Sequence, residues 1–581
     1  MDGVPLRPVS VQVWENGAKF IMPAGEITLE VRREEKGLVL SCTTKGLFRA
    51  HDISPLGHAY ADGCTAGFRQ GLGIAGPSGR FEVAADKTWE SDGLIALKKG
   101  DAWLTLHAVE HGKYRNRYSM QGEKLAACFD VEGTLTEETR LPDIFLRENT
   151  DLNAALSDCA EEIAACMGAR RVMDKPSFHW CSWYYCYHNL DMPQLKQYVK
   201  GFQGVADFSH IQIDAGYFPS AGDWLKTNER FQEGMEEAGR VILKGGFEPG
   251  IWIAPYMVGD NSEIYREHPD WLLHDTDGSL HVQARLYNEP KTWGYQDCHM
   301  YVLDTSHPDA MAYLKKVFST YREWGYTLFK TDFLLWGIQD STKVKRYVPG
   351  KTSFEYFRDM MMMIREAIGD ARWLGCIAPF LPAIGCVDMM RTAGDVGASW
   401  GESDFGPANM LQETLADQYF NGKYWLNDPD AVMLRDFHIY LKPNEIEAIA
   451  LFQAMTGSVI YTSDPVHQIG EDRIHLMHMI RAAEIIHPIY PHWMEGRDEV
   501  IVVNKTAGGA AVLLFNPTHR ERMVPFDGAE LTGISRPCLW KWHEGAVAAR
   551  GYDVIPARSA VLYFVSEKPL EKEPDNIWNW D

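Results

Sequence analysis

The stretch "GYTLFKTDFLLWG", Gly325 to Gly337, decides how this chain is read. It has the apolar density of a buried strand: Tyr326, Leu328 and Phe329 lead in, and Phe333, Leu334, Leu335 and Trp336 follow. Lys330 and Asp332 interrupt it, although charged side chains are seldom fully buried unless paired. Their alternate spacing lets both point to the same side of a strand. A core strand that ends in two inward charges needs other strands ending in charge around it.

Seven further segments meet that need. "FHWCSWYY" (178–185), "HIQIDAGY" (210–217), "EPGIWIAPY" (248–256), "WLGCIAP" (373–379), "CVDMMRTAGD" (386–395), "KYWLNDPD" (423–430) and "SVIYTSDP" (458–465) read as strands, with "YTLFKTDF" (326–333) among them. Helical runs such as "HPDAMAYLKKVFSTYREWG" and "NEIEAIALFQAM" separate most of these segments. Strands alternating with helices in this number predict a (β/α)8 TIM barrel, whose active sites form where the C-terminal strand ends converge. Asp214, Asp332, Asp395, Asp428, Asp430 and Asp464 all stand where an apolar strand stops.

The flanks follow a different grammar. "KFIMPAGEITLEVRREEKGLVLSCTT" alternates with a period of two and turns at Pro23-Ala24-Gly25 and Lys36-Gly37, which predicts an N-terminal antiparallel β-sandwich over 1–150. "DLNAALSDCAEEIAACMG" is an amphipathic helix with Asp151 as N-cap and Gly168 as C-cap, in a helical linker over 151–172. The barrel is expected over 173–490. Strands return in "EVIVVNKT", "AAVLLFNP", "RPCLWKWHEG" and "SAVLYFVS", giving a small C-terminal antiparallel β domain over 491–581 with a charged tail from Glu567.

The totals exclude whole classes of function. A net charge of −23 over 581 residues argues against a nucleic-acid partner, which needs clustered Lys and Arg. No run of 18 apolar residues predicts a membrane span. "MDGVPLRPVSVQVWENG" lacks the basic and apolar regions of a signal peptide, and the eleven cysteines contain no C-x-x-C, so a reducing, cytoplasmic setting is expected. No H-E-x-x-H or similar cluster calls for a metal, and no cofactor is implied. "GLGIAG" (71–76) fits a dinucleotide pattern, but Pro77 and Gly79 follow where a helix should start, so it reads as a loop. Asp388, Asp428 and Asp430 read as structural carboxylates, Asp304 and Asp464 as loop or capping residues, and Met360 to Met363 as core. His179 and His188 receive no role.

A rim with several Asp, one Lys, one Arg and many Trp and Tyr suits a polyhydroxylated ligand, and an aromatic content of 12% supplies faces for sugar rings. Two carboxylates flanking a glycosidic bond suffice to cleave it if one is ionised and the other protonated. Lys330 beside Asp332 would keep Asp332 ionised, and a carboxyl on another strand would hold its proton near that negative charge.

Here the chain resembles the bacterial α-galactosidases of glycoside hydrolase family 36, in the melibiase clan. "WCSWYYCY", "IQIDAGY" then "GDW", "GFEPGIWIAPY", "EHPDWLL", "YVLDTSHP", "FKTDFL", "LGCIAPFLPAIGCVDMMR", "GD" and "WLNDPD" carry the resemblance in order from 178 to 430. It implies an N-terminal supersandwich and a C-terminal sheet around the barrel, a small oligosaccharide or glycoside as substrate, and assembly into homo-oligomers in some members. It implies Asp332 as nucleophile in the K-x-D strand end, and Asp395 as general acid/base in the R-x-x-x-D stretch starting at Arg391. Lys330 and Arg391 match sugar- and carboxylate-binding positions, Cys376 a pocket-floor position, and Trp183, Tyr184, Asp214 and Trp252 wall positions. One departure stands out: the family's second strand carries two adjacent aspartates, and here Asp214 is followed by Ala215. The expected reaction is therefore retaining release of a terminal α-galactosyl group, with α-N-acetylgalactosaminidase, another α-glycosidase or a transglycosylase as alternatives. A Schiff-base aldolase using Lys330 and a carbohydrate-binding pseudoenzyme are the readings outside this mechanism.

Overall fold

The computed structural model describes residues 7–580 except 75, 172–176, 287–297, 402–405, 483–486 and 494–495. The expected strands form one parallel eight-stranded sheet. They are β1 (Phe178–Cys181), β2 (His210–Ile213), β3 (Glu248–Ile253) and β4 (Leu328–Thr331). The sheet continues with β5 (Arg372–Gly375), β6 (Met389–Arg391), β7 (Leu426–Asp428) and β8 (Ile460–Thr462). Each lies beside its chain neighbour, β1 also pairs with β8, and Val459 N donates to Asn427 O at 2.8 Å to join β8 to β7. The sheet therefore wraps round, and all its C-terminal ends meet on one rim, as parallel strands in a ring must.

The strands are shorter than the apolar runs that announced them. "SWYY" in particular is not strand: β1 stops at Cys181, and Trp183–Cys186 is a helical turn closed by Cys186 N donating to Ser182 O at 3.0 Å. Apolar residues continue beyond the strand because the rim turns pack on one another, so hydrophobicity outlasts the ladder.

Local signals set the helices. His307 accepts from Asp309 N at the start of Pro308–Glu323, and Thr352 and Glu355 form a capping box for Ser353–Ile368. Met360 and Met361 are core, whereas Met362 is 49% exposed. Leu152–Met167 starts on Asp151, which accepts from Asn153 N and Ala154 N, and ends at left-handed Gly168. Its buried face, Leu152, Leu156, Cys159, Ile163 and Met167, joins the same core as the barrel and fastens the N-terminal sheet to it.

That N-terminal region holds a large antiparallel sheet, which includes Gly17–Met22, Gly25–Glu34 and Gly37–Lys45, and a four-stranded sheet with its own core. The "GLGIAG" segment is a loop pressed on the rim: Leu72 O accepts from Phe380 N at 2.8 Å. A side chain at Gly73 would meet Ala378 O at 2.1 Å, so only glycine fits there.

C-terminal strands Val500–Thr506, Gly509–Asn516, Ser559–Ser566, Cys538–Lys541 and Gly545–Val547 form an antiparallel sheet packed on helix Pro443–Met455. The charged tail is more than a solvated end. Ile577, Trp578 and Trp580 are buried, and Asn576 Nδ2 donates to His478 O (2.7 Å) and Arg481 O (2.9 Å) at the end of Glu471–Met479. Ten cysteines are free among the described residues, and no described helix is long and apolar enough to cross a membrane.

Candidate active site

β4 delivers the two charges of the opening stretch to different partners. Lys330 Nζ reaches Asp214 Oδ2, just beyond β2, at 3.1 Å, and both side chains are buried. Lys330 thus meets a carboxylate from another strand, and the Asp332 charge acts on it as well. Burial works against the ammonium, but the Asp214 charge outweighs it and holds Lys330 well above its ordinary value.

Asp332, one residue past β4, is fixed by two N–H donors. Trp252 Nε1 on β3 donates to Oδ2 at 3.0 Å, and Phe333 N donates to Oδ1 at 2.7 Å. Phe333 itself sits at φ +53°, in the left-handed region that favours glycine. That strained turn aims the amide back at the carboxylate, a distortion characteristic of functional sites.

Asp214 is held mainly through one oxygen. Gln212 Nε2 (2.9 Å), Cys181 Sγ (3.4 Å) and Lys330 converge on Oδ2, and Ala215 N donates to Oδ1 at 2.9 Å. Cys376 follows β5, with its N–H on Thr331 O at 2.8 Å, so it stands between the ends of β4 and β6. Burial pushes its thiol well up, and the charges of Asp332, Arg391, Lys330 and Asp395 all act on it. The cysteine therefore lies amid the charged groups of the rim as a neutral thiol.

β6 ends in Arg391, which is 1% exposed and bridges two carboxylates. Nη2 lies 3.0 Å from Asp395 Oδ1, and Nη1 lies 3.0 Å from Asp430 Oδ1. The Asp395 side chain is 53% exposed, the open member of the cluster. Partial burial raises Asp395, but Arg391 and Lys330 prevail and hold it below the usual carboxylate range. This reverses the expectation that a carboxyl here keeps its proton through a neighbouring negative charge; the nearest charge is positive.

Asp430 was read from sequence as structural, and it is fully buried. Tyr184 and Tyr461 hydroxyls both donate to it, and Val396 N donates to Oδ2 at 2.8 Å. Burial raises it, with Arg391 opposing. Asp428 accepts from Asp430 N at 2.8 Å and is pushed up to about 7 by burial. Sequence reasoning placed Asp430 at a strand end with a structural role, and it missed Tyr461 as a member of this cluster. The available signal was the second Asp of "WLNDPD"; its partner on β6 becomes visible only when the strands are side by side.

Trp183, on the turn after β1, is half-buried and packs edge-on against His188 with ring centroids 4.8 Å apart. Tyr184 is buried, its N–H on Ser463 Oγ at 3.1 Å. Asp388 is structural, tied to Arg365 (2.7 Å), Arg170 (3.1 Å) and Trp373 N (3.0 Å). Asp464 binds Arg435 and the N–H groups of Leu434 and Arg435. Asp304 accepts from Tyr347 N at 2.7 Å. A cavity of about 570 Å³ opens at the other end of the barrel, where Arg481 is paired with Asp207.

Residues 171–332 match the Melibiase family. A stretch of 137 residues is 28% identical to the alpha-galactosidase AgaA of Geobacillus stearothermophilus, covering 21% of this chain and 17% of that relative. Another of 136 residues is 28% identical to the A type blood alpha-D-galactosamine galactosaminidase of Flavonifractor plautii, covering 22% and 12%. The aligned stretches thus span less than a fifth of either relative's length. A solved structure of the GH36 alpha-galactosidase AgaA with stachyose superimposes with a TM-score of 0.65 over 97% of this chain and 87% of that one, at 14% identity. These findings bear out the resemblance to the melibiase-clan α-galactosidases and the barrel-plus-β-domain fold.

Proposed function

We propose that this chain, whose residues 171–332 are of the melibiase kind, is a retaining exo-acting glycoside hydrolase that releases terminal α-galactosyl groups from small oligosaccharides. Asp332 is the nucleophile and Asp395 the general acid/base. The observation that carries this reading is the unequal treatment of two carboxylates that follow β4 and β6, with β5 between them. Asp332 is locked in orientation by Trp252 and Phe333, as an attacking group must be. Asp395 stands open at the rim with one cation beside it, where a leaving group and then a water can reach it.

Asp332 attacks the anomeric carbon as Asp395 protonates the departing oxygen, giving a glycosyl ester on Asp332. Asp395, now ionised, takes a proton from water, which displaces Asp332 and restores the α configuration. Seating a sugar strips solvent from the half-exposed Asp395 and raises its proton affinity, which favours the first step. Lys330, Arg391, Asp214, Trp183, Tyr184, Trp252 and Cys376 shape the sugar pocket. The reading keeps the divisions 1–150, 151–172, 173–490 and 491–581, and the free thiols suit a cytoplasmic enzyme.

A second glycone has specific support. Ala215 offers no carboxylate beside Asp214, and Asp214 Oδ2 is already engaged by Lys330, Gln212 and Cys181. An α-N-acetylgalactosaminidase or another α-glycosidase with the same mechanism is the alternative. A panel of 4-nitrophenyl α-glycosides separates the two, since cleavage of the galactoside favours the first and an inert galactoside with another cleaved favours the second. Asp332→Ala should cut turnover by about 10⁴-fold or more, and azide should restore product with inverted configuration. Full activity in that variant ends the assignment.

A further inference from the structure

We propose that Asp430 is a positioning residue that sets how readily Asp395 keeps its proton, acting through Arg391. The inference rests on the acid/base reading of Asp395 and adds a residue to it. Arg391 is buried and bridges the two carboxylates with equal 3.0 Å contacts, one to each terminal nitrogen. With Asp430 ionised, the guanidinium charge is shared. Without it, the whole charge would bear on Asp395 and bind its ionised form too firmly for proton donation.

Asp430 also fixes where Asp395 stands. Its Oδ2 accepts from Val396 N, the residue after Asp395, at 2.8 Å. Groups from each neighbouring element hold it in turn. Tyr184 from the turn after β1 and Tyr461 from β8 donate to its carboxylate. Gln453 from Pro443–Met455 donates to its carbonyl, and Asp428 accepts from its N–H. The other charges acting here are Arg391, Asp395 and Asp428, with Lys330 acting on Asp395 and Asp428. The backbone of Asp430 lies at φ +89°, unfavourable for any residue but glycine. A merely apolar strut would need neither that conformation nor two tyrosine donors. The plain alternative is a buried ion pair that only stabilises the barrel.

The test is the pH profile of kcat for Asp430→Asn in the full chain, on an alkyl α-galactoside and on 2,4-dinitrophenyl α-galactoside; where the panel names another glycone, its glycosides are used. The alkyl leaving group needs a proton and the dinitrophenyl one does not. The expected result is a downward move of the alkaline limb by about one pH unit. Turnover of the alkyl glycoside should fall about 10- to 100-fold, with less than about threefold loss on the activated one. An unmoved or raised limb, or equal losses on both substrates, overturns the proposal. If circular dichroism shows that Asp430→Asn is unfolded, Tyr461→Phe takes its place. It removes a donor that stabilises the Asp430 charge, so Asp430 takes up a proton more readily, the limb should move down by less than in Asp430→Asn, and an unmoved or raised limb overturns the proposal. Asp395→Asn is the control. Full activity of that variant on the alkyl glycoside sinks the acid/base reading and this inference with it. Loss there, with an unmoved limb in Asp430→Asn, sinks this inference alone.

Discussion

Carboxylates are buried to the same degree at the barrel rim and at the seam between the N-terminal sheet and helix Pro407–Ala416, and they meet different partners. Asp214 and Asp430 on the rim are 3% and 0% exposed; Glu413 and Asp417 at the seam are 5% and 0%. On the rim each has a cation at hydrogen-bond range, Lys330 at 3.1 Å and Arg391 at 3.0 Å. At the seam neither forms an ion pair among the described residues; Glu413 is pushed up to about 9 and Asp417 to about 7, burial being the largest cause for both. Arg69 opposes the shift of Glu413 but ranks behind burial and the Asp417 charge. Burial is thus common to both places, and the counter-ion at hydrogen-bond range is what the rim has and the seam lacks. A buried acid marks chemistry when a cation has been buried with it and both face an opening. Without one it is protonated and structural.

The strongest way to break this contrast is to remove a rim cation. Lys330→Met leaves Asp214 buried without its partner and should cost about 3–5 kcal/mol, the usual penalty for one orphaned charge. Turnover should vanish with it. Adding Asp214→Leu removes the orphan and should return most of the stability, but none of the turnover. Denaturant midpoints of the three proteins check this. If Lys330→Met is as stable as the parent, the ion pair is solvated in solution and the contrast with the seam disappears.

The sequence disclosed the staves of the barrel better than the wiring inside it. Apolar runs of the right length between helices located every strand from β1 to β8, and the Asp151 and Gly168 caps fell where their chemistry requires. Strand ends were overestimated, as at "SWYY", because packing on the rim rewards apolar residues whether or not a ladder continues. Partner choice was hidden for a different reason. The spacing of Lys330 and Asp332 brings both to the rim, but it does not tell that the lysine stem ends on Asp214, two strands away. Likewise Arg391 and Asp430 lie 39 positions apart, and only the β6–β7 pairing brings them together. The tail misled through composition: Glu567 to Asp575 is charged, and the three residues that do the packing, Ile577, Trp578 and Trp580, come after it.

The seam offers the smaller and opposite test. Folded Glu413 keeps its proton up to about pH 9, whereas the unfolded chain releases it near its ordinary value of about 4.3. Between those values the folded state binds more protons, so stability is complete at acid pH and falls as pH rises through neutrality. Glu413→Gln takes away the titration while keeping the shape. It should match the parent near pH 4 and exceed it increasingly above pH 6, by about 1–2 kcal/mol at pH 8 once relaxation of the buried pair is allowed for. Thermal unfolding of both proteins across pH 4–9 measures the gap. A constant gap at every pH would mean that Glu413 is ionised in the folded chain, and that burial without a counter-ion does not neutralise an acid here.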